Sequence, residues 1–261
     1  MSHCSTASVS KQGLIYMSEF GGKVAIVTGS SSGIGEAIAR SLHALGASVV
    51  INSSSSVEAG QQIAASLGDN AIYVQADISD KEQGESLIDK TIKQFGQIDI
   101  LINNAGWTQL IAHHNLEALT DDIFTRTFDV NVTGTWMLTK YAMPHLRKSQ
   151  DGNVVNITSV AGVRAMGSSI AYSMSKAALN HMTILLAKAC GPVRVNAVAP
   201  GLVETPWTKD WQNQHDGVKA VTPLHRSATP EDCVEATLGL LRTTYATGQI
   251  FVVDGGLTQV M

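Results

Sequence analysis

The stretch Val24–Gly35, VAIVTGSSSGIG, decides how the rest of the chain is read. Val24 to Thr28 are all apolar or β-branched, the length and make-up of a buried strand. Gly29, Gly33 and Gly35 come next at spacings of four and two, and a helix-compatible run begins there. The reading is a strand, a tight turn and a helix start. Gly29 and Gly33 lack the Cβ that would hold a phosphate away from the backbone, and Gly35 lets the helix pack closely on the strand. A helix beginning near Gly33 points unpaired N–H groups and the positive end of its dipole at the turn, so an anion is the expected guest. Taken alone the segment is equally compatible with a Gly/Ser-rich turn that binds nothing, because its spacing differs from the G-x-G-x-x-G dinucleotide fingerprint.

Downstream of Gly35 the strand-and-helix pattern repeats. Ile34 to Leu45 has apolar residues at helical spacing and stops at Gly46, and Ala47 to Ile51 reads as a second buried strand. Val57 to Leu67 is a helix, Ala71 to Gln75 a third strand ending at Asp77, and Ser79-Asp80-Lys81-Glu82 has the form of a capping box opening a helix to about Phe95. Ile98 to Ile102 is a fourth strand leading into Asn103-Asn104-Ala105-Gly106. Thr120-Asp121-Asp122 caps a long helix that contains Asn131 and runs to about Pro144. Asn153 to Ser159 is a strand, Ala171 to Lys188 a helix, and Val193 to Val198 a strand ending at Pro200-Gly201. Thr229-Pro230-Glu231-Asp232 opens the last helix, and Gln249 to Val253 is a seventh strand. Alternation with such short connections predicts one α/β domain, a Rossmann-like doubly wound parallel sheet of about seven strands with helices on both faces. Residues 202–227 show little periodicity and read as a substrate lid.

Composition narrows the classes. The 261 residues are 44% hydrophobic with net charge −4, enough for a large core and without the footprint of a nucleic-acid or anionic-membrane binder. Cys4, Cys190 and Cys233 are far apart and in no metal-ligand spacing, which points to a reducing, cytoplasmic setting and to no metal. His113-His114 lacks further ligands at metal spacing and reads as two solvated histidines. Residues 1–19 read as a flexible tail preceding a domain over 20–261, and no apolar run reaches membrane-spanning length.

The second half carries chemistry. Tyr172 and Lys176 lie four apart, on one face of a helix, where a cation favours the phenolate and brings its proton closer to transfer. Ser159 ends a strand, where open α/β sheets place ligands. After the second strand comes Asn52-Ser53-Ser54-Ser55-Ser56, with no carboxylate before Glu58. A carboxylate there would accept from the 2′-hydroxyl of NAD, whereas amide and hydroxyl donors suit the 2′-phosphate of NADP(H). NADP(H) is favoured, although no Arg or Lys occupies this loop and the serines also suit helix capping. Trp207 and Trp211 suit either a pocket lining or a cover for the core.

The ordered set Thr28-Gly29-x-x-x-Gly33-x-Gly35, Asp77, Asn103-Asn104-Ala105-Gly106, Asn131, Ser159, Tyr172-x-x-x-Lys176, Pro200-Gly201 and Asp254-Gly255-Gly256 resembles the short-chain dehydrogenase/reductase family, in the manner of 3-oxoacyl-carrier-protein reductases and glucose dehydrogenases. The resemblance implies that Tyr172 is the general acid/base, Lys176 lowers its pKa and holds the nicotinamide ribose, Ser159 polarises a carbonyl, and Asn131 positions a relay water. It also places Gly29, Ser31, Ser32, Gly33 and Ile34 on the cofactor phosphates, and Asn52, Ser53 and Ser54 at the adenosine ribose. Asp77 and Ile78 would meet the adenine, with Asn104, Ala105 and Gly106 along the cofactor. Pro200, Gly201, Val203 and Thr205 would lie at its nicotinamide end. The implied activity is hydride transfer between nicotinamide and a small-molecule carbonyl or secondary alcohol, in a homo-oligomer, tetramer or dimer. An NAD-dependent alcohol or sugar dehydrogenase and a non-catalytic nucleotide-binding regulator stand as alternatives.

Overall fold

A computed structural model describes residues 19–260, so most of the expected tail lies outside the described residues. Glu19 does not belong to that tail, because its carboxylate accepts two hydrogen bonds from Arg242 at 2.8 and 2.9 Å. Strands β1 (Val24–Val27), β2 (Ser48–Ser53), β3 (Ala71–Gln75), β4 (Ile100–Asn103), β5 (Asn153–Ile157), β6 (Arg194–Pro200) and β7 (Ile250–Val253) form one sheet. Their order is β3-β2-β1-β4-β5-β6-β7, and every neighbouring pair is parallel. The chain therefore reverses its direction of winding between β1 and β4, where such sheets leave a crevice at the strands' carboxyl ends.

The helices are α1 (Gly33–Ala44), α2 (Val57–Leu67), α3 (Lys81–Phe95), α4 (Asp121–Phe128), α5 (Thr135–Leu146), α6 (Ile170–Ala189), α7 (Gln212–Val221), α8 (Pro230–Arg242) and the short α9 (Leu257–Val260). Because successive strand residues face opposite sides, β1 divides its side chains between two cores. Ala25 and Val27 pack with Ile38 and Leu42 of α1, Ile63 of α2 and Leu241 of α8. Ile26 packs on the other face with Leu87 of α3, Leu138 of α5 and Leu186 of α6. Strands buried on both faces explain why the sequence shows continuous apolar runs there.

Three expectations need correction. The cap of α3 is Asp80, not Ser79: its carboxylate accepts from the Gln83 N–H at 3.1 Å, while the Ser79 N–H and hydroxyl turn back to Asp77. The long helix around Asn131 is broken by a π-turn over Asp129–Gly134, between α4 and α5. Gly134 permits it, since a Cβ there would stand 2.7 Å from the Ile78 carbonyl oxygen. Third, the aperiodic segment after Gly201 contains a 3₁₀ turn (Pro206–Thr208) and helix α7. Its period is invisible in the sequence because the buried residue of α7 is His215, whose Nδ1 lies 2.7 Å from the Ser227 hydroxyl. The base of this segment is closed by hydrogen bonds from the Glu204 N–H to Ala228 O and from the Ala228 N–H to Leu202 O, each 2.9 Å. Among the described residues no helix is long and apolar enough to cross a membrane.

Two glycines should respond oppositely to alanine. A Cβ on Gly35 would meet the Gly29 carbonyl oxygen at 2.5 Å, whereas around Gly239 in α8 nothing lies within 4 Å. Urea unfolding is expected to show Gly35→Ala destabilised by about 1–3 kcal/mol and Gly239→Ala stabilised by about 0.5–1 kcal/mol.

Candidate active site

The glycine turn is clasped to the end of β4. Gly29 and Gly33 both adopt positive φ, and a Cβ on Gly29 would lie 2.9 Å from the Ala105 Cα. Asn104 locks this approach, its Nδ2 donating to Thr28 O at 2.9 Å and Gly29 O at 3.0 Å. The Thr28 hydroxyl in turn accepts from the Asn104 and Ala105 N–H groups. Gly29 and Gly35 thus serve the packing of turn on strand, and Gly33 leaves room against Thr205, 3.3 Å from where its Cβ would stand. Ser32, the N-cap of α1, makes no side-chain capping bond. The first N–H groups of α1 are therefore left without that partner, beside a cradle shaped for an anion.

Beyond β2 the donors differ from expectation. Asn52 is buried and its amide is spent: Nδ2 donates to Val74 O and Ala76 O, and Oδ1 accepts from the Gly29 N–H. It braces the turn and is not a phosphate donor. The Ser53 hydroxyl is paired with the Tyr73 hydroxyl at 2.9 Å. Ser54, Ser55 and Ser56 are exposed and line the cleft.

Across the crevice, Ser169 caps α6 by accepting from the Tyr172 N–H, fixing the first turn from which Tyr172 and Lys176 project. Lys176 is buried, its Nζ donating to Ile157 O at 2.9 Å and lying 5.6 Å from the Tyr172 ring centroid. Burial pulls its pKa down to about 8. Desolvation raises the Tyr172 phenol to about 12, with a hydrogen bond from Ser159 working in the opposite direction. Burial is thus the larger of the two influences on the phenol. Asn131 sits in the π-turn, wholly buried. Its Nδ2 donates to Trp107 O and the Ser175 hydroxyl, and its Oδ1 accepts from the Trp107 N–H at 2.7 Å.

One cleft of about 680 Å³ joins these parts. Gly29, Ser31, Ser32, Gly33 and Ile34 line it with Asn52, Ser53, Ser54, Asp77 and Ile78. Asn104, Ala105 and Gly106 form its floor, and Pro200, Gly201, Val203 and Thr205 continue the wall beside Ser159, Tyr172 and Lys176. Asn131 stands behind that wall and does not line it. Trp107, Arg126, Met166 and Gln214 also line the cleft, and the sequence does not mark them, because lone residues in loops or on a short helix carry no spacing signal. Trp207 makes an edge contact with the Tyr172 ring, centroids 6.4 Å apart, and Trp211 lines the same end. Among the described residues no cluster of His, Cys, Asp or Glu could hold a metal ion.

A family model described as enoyl-(acyl carrier protein) reductase matches residues 29–258. A protein of Streptomyces violaceoruber named for ketoacyl reductase 2 of the granaticin polyketide synthase is 50% identical over 237 residues, covering 89% of this chain and 95% of that protein. The chain belongs to the short-chain dehydrogenase/reductase family. A 3-oxoacyl-[acyl-carrier-protein] reductase of a Synechocystis strain is 37% identical, covering 90% of this chain and 96% of that one. The crystal structure of a Brucella melitensis short-chain dehydrogenase/reductase, titled glucose/ribitol dehydrogenase, superposes with TM-score 0.85 at 31% identity, over 91% of this chain and 97% of that one. This short-chain dehydrogenase/reductase is thus an oxidoreductase with a Rossmann-like fold, and its family uses nicotinamide dinucleotides.

The buried ammonium has a measurable cost. With its pKa at about 8, Lys176 holds its proton less firmly in the folded chain than in the unfolded one, so stability rises with pH from about 8 towards 10.5 and the full cost applies below 8. Lys176→Met removes that cost and loses one hydrogen bond. Its midpoint of unfolding at pH 7 is expected above wild type, by about 2 kcal/mol in stability, with the gap narrowing by pH 9.5 in thermal scans.

Proposed function

We propose that the chain is an NADP(H)-dependent reductase of ketones, with Tyr172, Lys176, Ser159 and Asn131 as its working set. The observation that carries this reading is that the Tyr172–Ser159–Lys176 group opens into the same cleft as the uncapped start of α1. Residues of the cradle fit a dinucleotide: a Cβ on Gly33 would crowd Thr205, and one on Gly106 would stand 3.7 Å from Lys176 Nζ. The nicotinamide, when bound, supplies hydride to the substrate carbon. Ser159 and Tyr172 present two hydroxyl donors to one carbonyl oxygen, and the phenol, protonated at neutral pH, gives its proton as the alkoxide forms. Lys176 stabilises the phenolate left behind. Asn131, its amide spent, holds the Trp107 loop and shapes the π-turn, whose backbone carbonyls are the acceptors for a relay water.

The hydroxyls of Ser54–Ser56 and the lack of a carboxylate among residues 52–56 support NADP(H) over NAD(H). Relatives named for ketoacyl and 3-oxoacyl reductases make a β-ketoacyl compound the first substrate to try. The description of the matching family model favours one other reading, reduction of an enoyl double bond. Paired hydroxyl donors at one point suit a carbonyl better, and acetoacetyl against crotonyl thioester as substrate separates the two. Exposed Trp136, Ile184 and Leu185 on α5 and α6 support self-association as a homo-oligomer, and the free buried thiols Cys190 and Cys233 support a cytoplasmic setting.

Tyr172→Phe is expected to lower carbonyl turnover by about 10²–10⁴-fold while NADPH still quenches tryptophan fluorescence; retained turnover places the acid elsewhere. For wild type, kcat/KM of reduction is expected to fall as pH rises through about 8, where Lys176 loses its charge. Fluorescence titration should give a lower Kd for NADPH than for NADH, and the reverse order refutes the reading of residues 52–56.

A further inference from the structure

We infer that Arg126, whose guanidinium lies over the Trp107 ring, recognises an anionic oxygen group on the substrate, so that the ketone taken here carries a carboxylate or a phosphate; this builds on the ketone-reductase reading. Three ionised side chains line the cleft, Asp77, Arg126 and Lys176. Asp77 lies past β3, at the opposite end from the lid, and its carboxylate accepts from the N–H and hydroxyl of Ser79. Lys176 is buried on the Ile157 carbonyl. That leaves Arg126 as the charge on the lid side, and it forms no ion pair among the described residues. Asp122 and Asp129, at i−4 and i+3 on its own helical stretch, do not engage it either.

A chain of contacts fixes its placement. Tyr172 meets the Trp207 edge, and a Cβ on Gly106 would lie 3.8 Å from the Trp207 ring and 3.7 Å from Lys176 Nζ. Trp107 is the next residue, held at both its N–H and its carbonyl by Asn131. The Arg126 guanidinium carbon stands 5.6 Å from the Trp107 ring centroid. Arg126 therefore lines the same cleft as the phenol, over a residue whose backbone is held by a buried amide. A cation–π contact over an aromatic ring does not consume guanidinium N–H donors, and a planar carboxylate or a phosphate can accept two of them at once. Apart from Asp77, the lining of the cleft offers an anion no competing carboxylate.

The test uses two pairs of ketones differing in an anionic group: cyclohexanone against oxocyclohexanecarboxylate, and acetoacetyl-N-acetylcysteamine against acetoacetyl-coenzyme A. The expected result is a kcat/KM roughly tenfold higher for the anionic member of at least one pair, with the preference carried in KM. A preference confined to the first pair assigns a carboxylate, and one confined to the second a phosphate. Arg126→Gln should bring the ratio towards one, and Arg126→Lys, which keeps the charge but not the planar fork of donors, should retain part of it. A wild-type ratio near one in both pairs, or a preference that survives in Arg126→Gln, overturns the inference. Calorimetric binding of the same four compounds with NADP⁺ present needs no turnover. Anion preference in binding without reduction upholds the role of Arg126 and overturns the ketone-reductase reading, whereas reduction without anion preference does the reverse.

Discussion

The structure depends on a close approach: the turn after β1 lies against the end of β4, and α1 lies against that turn. Side chains on Gly29 or Gly35 would collide with backbone atoms, so the approach exists only because those positions have none. Thr28, Asn52 and Asn104 then saturate the polar groups it brings together, which is what a buried turn requires. The start of α1 is thereby fixed over the crevice between β1 and β4.

Across the crevice from the start of α1, the fold sets a half-buried phenol beside a buried amine. Removing water raises one proton's affinity and lowers the other's, so phenol and amine move from ordinary values near 10.0 and 10.5 to about 12 and about 8. Instead of weakening both, this makes the phenol a reservoir of a proton and the amine a group whose charge answers to ambient pH. The stability given up in burying the amine marks the region as one shaped for chemistry at the expense of folding.

Much of this is legible in the residues. Buried strands announce themselves as apolar runs bounded by glycines, and caps such as Thr229 with Asp232 and Thr120 with Ile123 sit where their spacing places them. The polar constellation is legible by position, and the positions implied by the family resemblance line one cleft, Asn131 excepted. What cannot be read is which polar atoms are spent. Asn52 reads as a donor, but its protons go to two carbonyls of a neighbouring strand and its loop, an arrangement that depends on β2–β3 register and leaves no local trace. The π-turn escapes for a similar reason: its cause is the contact of Gly134 with Ile78, far away in sequence. Helix α7 escapes because a histidine satisfied by a serine takes the inward place where an apolar residue would have set the rhythm.

The closed base of the segment between Leu202 and Ala228 reaches beyond this molecule. Its two ends are hydrogen-bonded to each other, so the sheet registers only a fixed stem and not the length or make-up of what hangs from it. Loops on such stems are free to be lengthened, shortened or exchanged whole, while the glycine turn and α1 are left untouched. Grafting another relative's flap onto this stem would exchange one wall of the cleft without asking the scaffold to refold.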